Sequence, residues 1–446
     1  MTSPDRLLQG WGRTTAGRSR VAGPLAAGEL VGLLGGTPPP GGVLARGSGL
    51  SYGDAAQNTG GLVLTPATAP RIELDPGAGT VRAAASTTFA QLLTALVPHG
   101  LLLPVLPGTS HLTLGGAIAA DVHGKNQRTD GTISNWLESI ELLCSDGQLR
   151  HLTPTRHGPW FRATVGGMGL TGVITGATLR LLPIRSALLR VSSRRAPDLD
   201  SLTAMLETAT SRYAVAWIDT TASGRNLGRG VVDLGDHLTA PDPLTEPWEL
   251  SYRPPRSPRA PYLPVGPFTP VTARAFNEAW YRRSPQERHC VQDLSAFFHR
   301  LDAVARWNRA LGPRGFLQYQ FVVPLTARHL LVTVLEELQR VGAAPFLGTL
   351  KRFGPANGNP LSFPLPGWSL AVDMPAGRAR LAAVLDHLDG LVAQAGGRVY
   401  LAKDARLRRS AFEAMYGPLE EWRATRAILD PADAMRSDLG RRLGLC

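Results

Sequence analysis

The sequence predicts an α+β fold divided into two domains. A chain of 446 residues is longer than a typical domain with a single hydrophobic core, so more than one domain is expected. Up to about residue 184, short β-like runs alternate with glycine turns and a few short helices, whereas residues 185–397 hold longer amphipathic helices between apolar strands. No apolar run reaches the ~18 residues of a membrane-spanning helix, so we expect no transmembrane segment.

Local signals define several elements. Val81–Ala85 has the composition of a strand, and Thr88–Val97 that of a helix that begins with a Thr/Gln capping box and ends at Gly100. An Asp-Gly turn between Ser139–Leu143 and Gln148–Leu152 predicts a β-hairpin.

A long helix and a strand are predicted near the C-terminus. Apolar residues fall at helical spacing at Leu381, Val384, Leu385, Leu388, Leu391 and Val392, with Asp386, His387 and Asp389 on other faces. Gly396 and Gly397 end the helix, and Arg398–Ala402 then resembles a buried strand. Earlier in the chain, Arg253–Pro270 is saturated with proline and must be a loop. Two roles stay open for this loop, a lid over a substrate site and an inert connection.

The formal charge of +12 comes almost wholly from arginine. It favours an anionic partner such as nucleic acid, an acidic membrane surface or a phosphorylated substrate, although an arginine-rich genome composition would give the same charge. The isolated Cys144, Cys290 and Cys446 exclude a CxxC pair, and no metal site is predicted. Residues 1–20 lack the apolar core of a secretion signal. We therefore expect a cytoplasmic protein or one peripheral to the inner membrane, with the periplasmic side left open.

Two glycine-rich stretches, Ala45–Asp54 and Leu106–Asn126, are the strongest functional signal. Glycine lets backbone N–H groups approach an anion without interference from a Cβ atom. The first stretch has the spacing GxGxxxG and no amphipathic helix after it, which argues against a Rossmann nicotinamide site. A third segment, Val165–Ala177, repeats the pattern of tight turn and apolar strand. The sequence therefore predicts a bound cofactor with a pyrophosphate.

These stretches carry a resemblance to a known superfamily. Three segments resemble the FAD-binding segments of vanillyl-alcohol-oxidase-type flavoproteins: Arg46–Asp54, Leu106–Asn126 and Gly166–Thr178. Three later segments resemble the family of actinobacterial decaprenylphosphoryl-β-D-ribose 2'-oxidases, the flavoprotein half of a two-enzyme epimerase: Gly315–Pro324, Pro360–Trp368 and Tyr400–Arg406. The similarity extends over essentially the whole chain.

The resemblance implies a PCMH-type FAD-binding domain of residues 1–186 and 398–446, which encloses a substrate-binding α+β domain of residues 187–397 built on an antiparallel sheet. It implies FAD contacts from Ala45, Arg46, Gly47, Ser48, Gly49, Leu50, Ser51, Tyr52, Gly53, Asp54, Ala55, Gly108, Thr113, Leu114, Gly115, Gly116, Ala120, Asp121, Val122, His123, Ile174 and Tyr400. It implies a substrate side formed by Tyr52, His123, Trp217, Gln318, Gln320, Lys351, Ser369 and Lys403.

The sequence departs from its relatives at three positions. Covalently flavinylated relatives carry histidine at the position of Leu50, so we expect noncovalent FAD; the nearer family usually has arginine there. Mycobacterial members carry asparagine at the position of Ser369 and cysteine at that of Ala371. The pocket therefore lacks a thiol, and its polar contacts with the sugar differ.

Within this framework, Lys403 is the candidate acceptor of the substrate's hydroxyl proton. Tyr52 is a further candidate catalytic residue. His123 is the competing base, or else a donor that stabilises reduced flavin. Gln318 and Gln320 lie two apart on an apolar strand and so share a face, where sugar hydroxyls or backbone groups would satisfy their amides. Trp217 fits either a wall of the pocket or the core.

The expected reaction is FAD-dependent oxidation of the 2'-hydroxyl of a polyprenyl-phosphoryl ribose, the first half of an epimerisation to the arabinose donor for cell-wall arabinan. Its expected partners are an NAD(P)H-dependent short-chain reductase and a membrane surface. The alternative enzyme is an alditol or aldonolactone oxidase that acts on a small soluble polyol. A nucleic-acid-binding protein is disfavoured because the sequence has no recognition motif for nucleic acid.

Overall fold

The computed structural model describes residues 4–25, 27–65, 71–239, 250–417 and 419–446. The strands are β1 Asp5–Gln9, β2 Ala16–Ala22, β3 Val43–Ala45, β4 Leu62–Leu64, β5 Ile72–Asp75, β6 Thr80–Ala84, β7 Leu101–Leu102, β8 Leu137–Leu143, β9 Leu149–Leu152, β10 Val173–Arg180, β11 Leu182–Pro183, β12 Leu188–Ala196, β13 Tyr213–Ile218, β14 Gly230–His237, β15 Glu287–Asp293, β16 Phe316–Pro324, β17 Leu347–Phe353, β18 Gly367–Pro375 and β19 Arg398–Val399. The helices are α1 Ala27–Leu34, α2 Phe89–Leu96, α3 Leu114–Ala119, α4 Gln127–Asp130, α5 Gly158–Thr164, α6 Leu199–Glu207, α7 Pro270–Arg283, α8 Leu294–Phe298, α9 His329–Arg340, α10 Leu381–Gln394, α11 Arg409–Met415, α12 Leu419–Leu429 and α13 Asp438–Leu443.

The strands form three substantial sheets. The first two have the orders β1-β2-β4-β3 and β5-β6-β10-β8-β9, and β7 and β11 form a separate pair. The third sheet has eight strands in the order β15-β12-β14-β13-β17-β18-β16-β19, and every pairing in it is antiparallel. Helices α6, α9 and α10 contribute to the core cluster that includes β16 and β18. The expected α+β class, with an antiparallel sheet in its later part, is confirmed.

The local predictions in the first part of the chain are confirmed. Helix α2 has the Thr88/Gln91 capping box, and the turn after it ends at Gly100, whose φ of 69° suits glycine. Strands β8 and β9 pair antiparallel around the Asp-Gly turn. These elements depend on residues close in sequence, which is why sequence patterns reveal them.

Two predictions near the C-terminus need correction. Asp389, expected on a face of α10 other than the apolar one, is 1% exposed, and an ion pair with Arg406 compensates the burial of its charge. Strand β19 covers Arg398–Val399 only, not Arg398–Ala402. After the Tyr400 amide donates to the Gln320 carbonyl oxygen at 2.9 Å, the chain turns through residues 401–403. Lys403 therefore lies in a turn rather than directly after a strand.

The C-terminal residues lie against both parts of the fold. Strand β19 pairs with β16 in the eight-stranded sheet. Met435 bridges to Val43 of the first sheet, and Arg442 pairs with Asp54 at 2.7 Å. These contacts hold the first glycine-rich stretch against the end of the chain. The division of the chain at residues 186 and 398 stays a prediction.

The proline-rich segment has no helix or ladder strand before α7 begins at Pro270. Arg259 and Ala305 form an isolated bridge, and Phe268 stacks on Phe346 with ring centroids 4.4 Å apart. The loop is therefore anchored at two points. Among the described residues, no helix is long and apolar enough to cross a bilayer.

Candidate active site

A cavity of about 1410 Å³ lies between the glycine-rich stretches and one face of the eight-stranded sheet. Successive side chains of a strand point to opposite faces, so alternate residues of each strand reach the cavity. From β16 these are Gln318 and Gln320, and from β18 they are Ser369, Ala371 and Asp373. Because Gln318 pairs with Asp373 and Gln320 with Ala371 across the strands, the sheet presents a compact polar group.

Contacts between the two glycine-rich stretches form the opposite wall. The Ser48 hydroxyl donates to the His111 carbonyl oxygen at 2.6 Å. A Cβ atom on Gly47 would overlap the Thr113 hydroxyl, and one on Gly49, whose φ is 66°, would overlap the Arg46 guanidinium. Glycine is therefore required where the stretches meet, and the hydrogen bond fixes their spacing.

The wall fits a flat, phosphorylated cofactor such as FAD. Gly108 lines the cavity, and a Cβ atom there would meet no described atom within 4 Å, so the cavity opens directly onto its backbone. His123 also lines the cavity, and its Nδ1 is buried with no hydrogen-bond partner. A buried polar atom without a partner is costly unless a ligand satisfies it. The backbone and this donor thus suit a group with many acceptor atoms.

A buried group of polar side chains stands at the junction of β16, β18 and the C-terminal turn. Lys403 Nζ lies 3.8 Å from the Tyr52 ring centroid, and the Tyr52 amide donates to the Ala402 carbonyl oxygen at 3.0 Å. The Gln318 amide donates to Asp373 Oδ2 at 2.8 Å and approaches the Tyr52 hydroxyl at 3.5 Å. Asp373 is 1% exposed, and its second oxygen has no partner.

Burial changes the proton affinity of this group. It lowers the pKa of Lys403 to about 8, an effect that Lys351 reinforces and Asp373 opposes. Burial also raises the pKa of Asp373 to about 7, against the hydrogen bond from Gln318 and the charge of Lys403. Burial and the charge of Asp373 raise the pKa of Tyr52 well above its ordinary value. Lys403 can therefore lose a proton near neutral pH, whereas Tyr52 stays protonated.

The surroundings of His123 favour a donor rather than a base. Burial, with Lys351 and Lys403 nearby, holds its pKa well below the usual range, so the ring is neutral. The Gln320 amide nitrogen lies 3.2 Å from His123 Nε2, and an amide nitrogen can only donate. With the amide in this orientation, the ring proton sits on Nδ1, which has no hydrogen-bond partner among the described residues.

All three lysines of the chain line this cavity. The remaining 44 basic residues are arginines, whose guanidinium does not lose its proton. Burial lowers the pKa of Lys351 to about 8 and that of Lys125 to about 7, the latter with help from Arg300. In a chain that uses arginine for nearly every positive charge, the three lysines lie where burial lets the amine lose its proton.

Most of the residues implied by the resemblance line the cavity. They are Ala45, Arg46, Gly47, Ser48, Gly49, Leu50, Ser51, Tyr52, Ala55, Gly108, Thr113, Gly115, Gly116, Ala120, Val122, His123, Ile174, Tyr400, Trp217, Gln318, Gln320, Lys351, Ser369 and Lys403. Trp217 thus belongs to the wall rather than solely to the core. Gln318 and Gln320 do share the cavity face.

Four of the implied residues do not line it. Asp54 pairs with Arg442, and Gly53 packs tightly against the Asp404 carbonyl oxygen. Leu114 is fully buried in the core of the first part of the chain. Asp121 is buried and accepts hydrogen bonds from Ser362 and Asn357. These four residues contribute to packing, hydrogen bonds or an ion pair within the protein instead of facing the cavity.

Asp373 and Lys125 are among the cavity residues that were absent from the sequence-based site. Asp373 lies in an apolar strand with no motif around it, and only its pairing with Gln318 reveals its place. Lys125 lies within the second glycine-rich stretch, but its position against Phe297, 3.9 Å from the ring centroid, depends on distant residues. The scarcity of lysine was the available signal for Lys125.

Comparison with known proteins places the chain in a family. The FAD binding domain family matches residues 41–153. Decaprenylphosphoryl-β-D-ribose oxidase of Mycolicibacterium smegmatis is 41% identical over 459 aligned residues, which cover all of this chain and 98% of that protein. The chain belongs to the decaprenylphosphoryl-β-D-ribose oxidase family. Its cofactor is FAD in the PCMH-type fold, and it is an FAD-dependent oxidoreductase.

Two further relatives delimit the match. An uncharacterized protein in the mprA 5' region of Streptomyces coelicolor is 40% identical over 375 residues, 80% of this chain and all of that protein. Alditol oxidase of a Streptomyces species is 29% identical over 144 residues, which cover 32% of this chain and 34% of that protein. The similarity to alditol oxidase is thus partial, which favours the decaprenylphosphoryl-ribose family over the polyol alternative.

Proposed function

We propose that this enzyme oxidises the 2'-hydroxyl of decaprenylphosphoryl-β-D-ribose to the 2'-keto sugar. The full-length similarity to an oxidase of that name supports the choice of substrate. The observation that carries the chemistry is the cavity itself, in which the glycine-rich wall faces Lys403, Asp373 and Gln318. A cofactor site and a group able to take a proton thus share one cavity.

The oxidation of a secondary alcohol removes a hydride from carbon and a proton from oxygen, and a carbonyl forms. When bound, FAD supplies the acceptor for the hydride. The proton goes to Lys403 Nζ, and roughly a tenth of this amine is neutral at pH 7 when its pKa is about 8. Tyr52, which lies against Nζ, stays protonated and donates. Lys403 is therefore the base in this proposal.

The other polar groups bind and orient the sugar. The unpartnered oxygen of Asp373 accepts from a ribose hydroxyl, and the Gln318 amide holds the carboxylate in place. The Gln320 amide fixes His123, so that its Nδ1 donates into the cavity. Lys351 and Lys125 provide positive charge for the phosphate. Leu50, Ser369 and Ala371 also line the cavity, so the departures from relatives lie where they affect the fit of flavin and sugar.

Two partners belong to the proposal. Conversion of the keto sugar to the arabino epimer requires a hydride from a second donor, and the sequence has no Rossmann motif to bind one. A separate NAD(P)H-dependent short-chain reductase therefore completes the epimerisation. The polyprenyl chain is too long to enter the cavity in full, so the enzyme meets its substrate as a peripheral protein at a membrane surface.

An anaerobic titration tests the proposed function. Prenyl-phosphoryl ribose with a short, soluble chain should bleach the visible absorbance of the bound flavin, whereas xylitol and gulonolactone should not. Bleaching by the polyols but not by the phosphoryl ribose would establish the alditol oxidase alternative instead. A preparation without a flavin band would contradict both.

A further inference from the structure

Exposed apolar side chains are concentrated in one segment of the chain, which also contributes to the cavity wall. Twelve large apolar side chains are exposed in the described part of the chain, and seven lie between residues 262 and 304: Tyr262, Val265, Val271, Phe276, Trp280, Leu301 and Val304. We call these seven the mouth patch. Val265 and Val271 are 75% and 77% exposed. A cluster of this kind on a soluble protein marks a contact surface.

Four residues of the mouth patch also belong to the cavity wall. Phe276, Trp280, Leu301 and Val304 line the cavity as well as being exposed. The rings of Phe276 and Trp280 lie 6.4 Å apart on successive turns of α7, and Trp280 lies 6.4 Å from Trp217 on the cavity wall. An aromatic path therefore runs from the protein surface to the sheet that carries the polar group.

The segment that carries the mouth patch is strongly positive. Residues 250–315 contain eleven arginines and four acidic residues, a net charge of +7 out of +12 for the whole chain. Arg253, Arg256, Arg259, Arg274, Arg282 and Arg283 are exposed in this segment. Glu278, the acidic residue of α7, is engaged by Arg229 and Arg282. The charge left facing solvent is thus cationic and complements an anionic surface.

We propose that the mouth patch docks on a bilayer that contains anionic lipids, with the valines and aromatic rings in the headgroup region and the arginines on lipid phosphates. Tryptophan and arginine are the residues that suit this interface. The inference rests on the proposed function for the identity of the lipid-linked substrate, whose sugar would enter the cavity while its chain stays in the membrane. The aromatic path then guides the first part of that chain.

The charge argues for a bilayer over a second copy of the protein. Two copies meeting through this face would bring together two segments that each carry a net charge of +7, and these segments would repel each other. A bilayer of anionic lipid instead satisfies both the apolar side chains and the arginines that flank them.

Vesicle cosedimentation with the FAD-loaded protein tests the proposal. Wild type should sediment with vesicles of phosphatidylcholine and phosphatidylglycerol at low salt, and binding should fall at high salt or without phosphatidylglycerol. The double variant Val265→Asp, Val271→Asp should bind at least tenfold more weakly. Ile428→Asp is the matched control, since Ile428 is 55% exposed but lies on α12. For the charge, Arg274→Gln with Arg283→Gln should weaken binding, whereas Arg156→Gln should not.

Each outcome decides the proposal. It is overturned if wild type stays in the supernatant, or if the double variant binds as well as the Ile428→Asp control. It is also overturned if the double variant turns a dimer into a monomer in sedimentation velocity, since the patch would then pack on a second copy. Flavin bleaching by the soluble phosphoryl ribose should be unchanged in the double variant. If the soluble phosphoryl ribose does not bleach the flavin of the wild-type protein, the proposed function is wrong. The vesicle assay decides the membrane proposal independently of that result.

Discussion

Replacement of Lys403 by methionine tests the proton acceptor directly. Burial brings the pKa of Lys403 from 10.5 to about 8, so at pH 7 roughly a tenth of the amine is neutral instead of roughly one part in three thousand. Loss of a positioned base costs about 10²–10⁴-fold in rate. Methionine keeps the apolar stem against Tyr52, so the cavity should keep its shape.

The assay is anaerobic stopped-flow measurement of flavin bleaching by soluble prenyl-phosphoryl ribose from pH 6 to about 9. Because the neutral amine is the active form, wild type should gain about tenfold in rate per pH unit below about 8 and level off above it. Lys403→Met should be slow and lose this rise.

A second lysine in the cavity provides the matched control. Lys351 has the same pKa of about 8 but is assigned to the phosphate, so Lys351→Met should weaken substrate binding and keep the pH rise. The midpoint of that rise should move to higher pH, because the charge of Lys351 lowers the pKa of Lys403. Normal bleaching by Lys403→Met would refute the reasoning. An exchange of the two phenotypes would make Lys351 the base.

Three further variants separate cofactor, positioning and structural roles. In Gly47→Ala the new Cβ atom would overlap the Thr113 hydroxyl, so we expect roughly tenfold weaker FAD binding in a flavin-release assay. Gly28→Ala is the control and should bind FAD normally, because its Cβ atom would meet no described atom within 4 Å. Asp373→Asn removes the charge that raises the pKa of Lys403, so the pH rise should move to lower pH by about one unit; an unchanged or higher midpoint would contradict this. Asp54→Asn breaks a largely buried ion pair and should lower the free energy of unfolding by about 2 kcal/mol in denaturant titrations, with the pH rise intact. A lost cofactor at full stability would instead make Asp54 a flavin contact.

Sequence patterns were informative where a few neighbouring residues decide the structure. The capping box of α2, the Asp-Gly hairpin and the shared face of Gln318 and Gln320 each follow from spacing along the chain. The glycine-rich stretches could also be recognised from the sequence, because glycine is the residue type that lacks a Cβ atom. The specific choice of FAD and of the family came from resemblance rather than from these patterns.

Long-range contacts decided the rest. Asp54 belongs to a glycine-rich stretch that predicted cofactor contacts, but it forms an ion pair with Arg442, which is 388 residues further along the chain. No local sequence pattern reveals such a pair. Asp373 enters the site through antiparallel pairing with β16. The concentration of charge in residues 250–315 was present in the sequence, yet only the tertiary structure showed that this segment exposes apolar rings and lines the cavity. Sequence determined which groups were available, whereas packing determined which were desolvated, and desolvation is what brings the pKa of a lysine into the range where it can accept a proton.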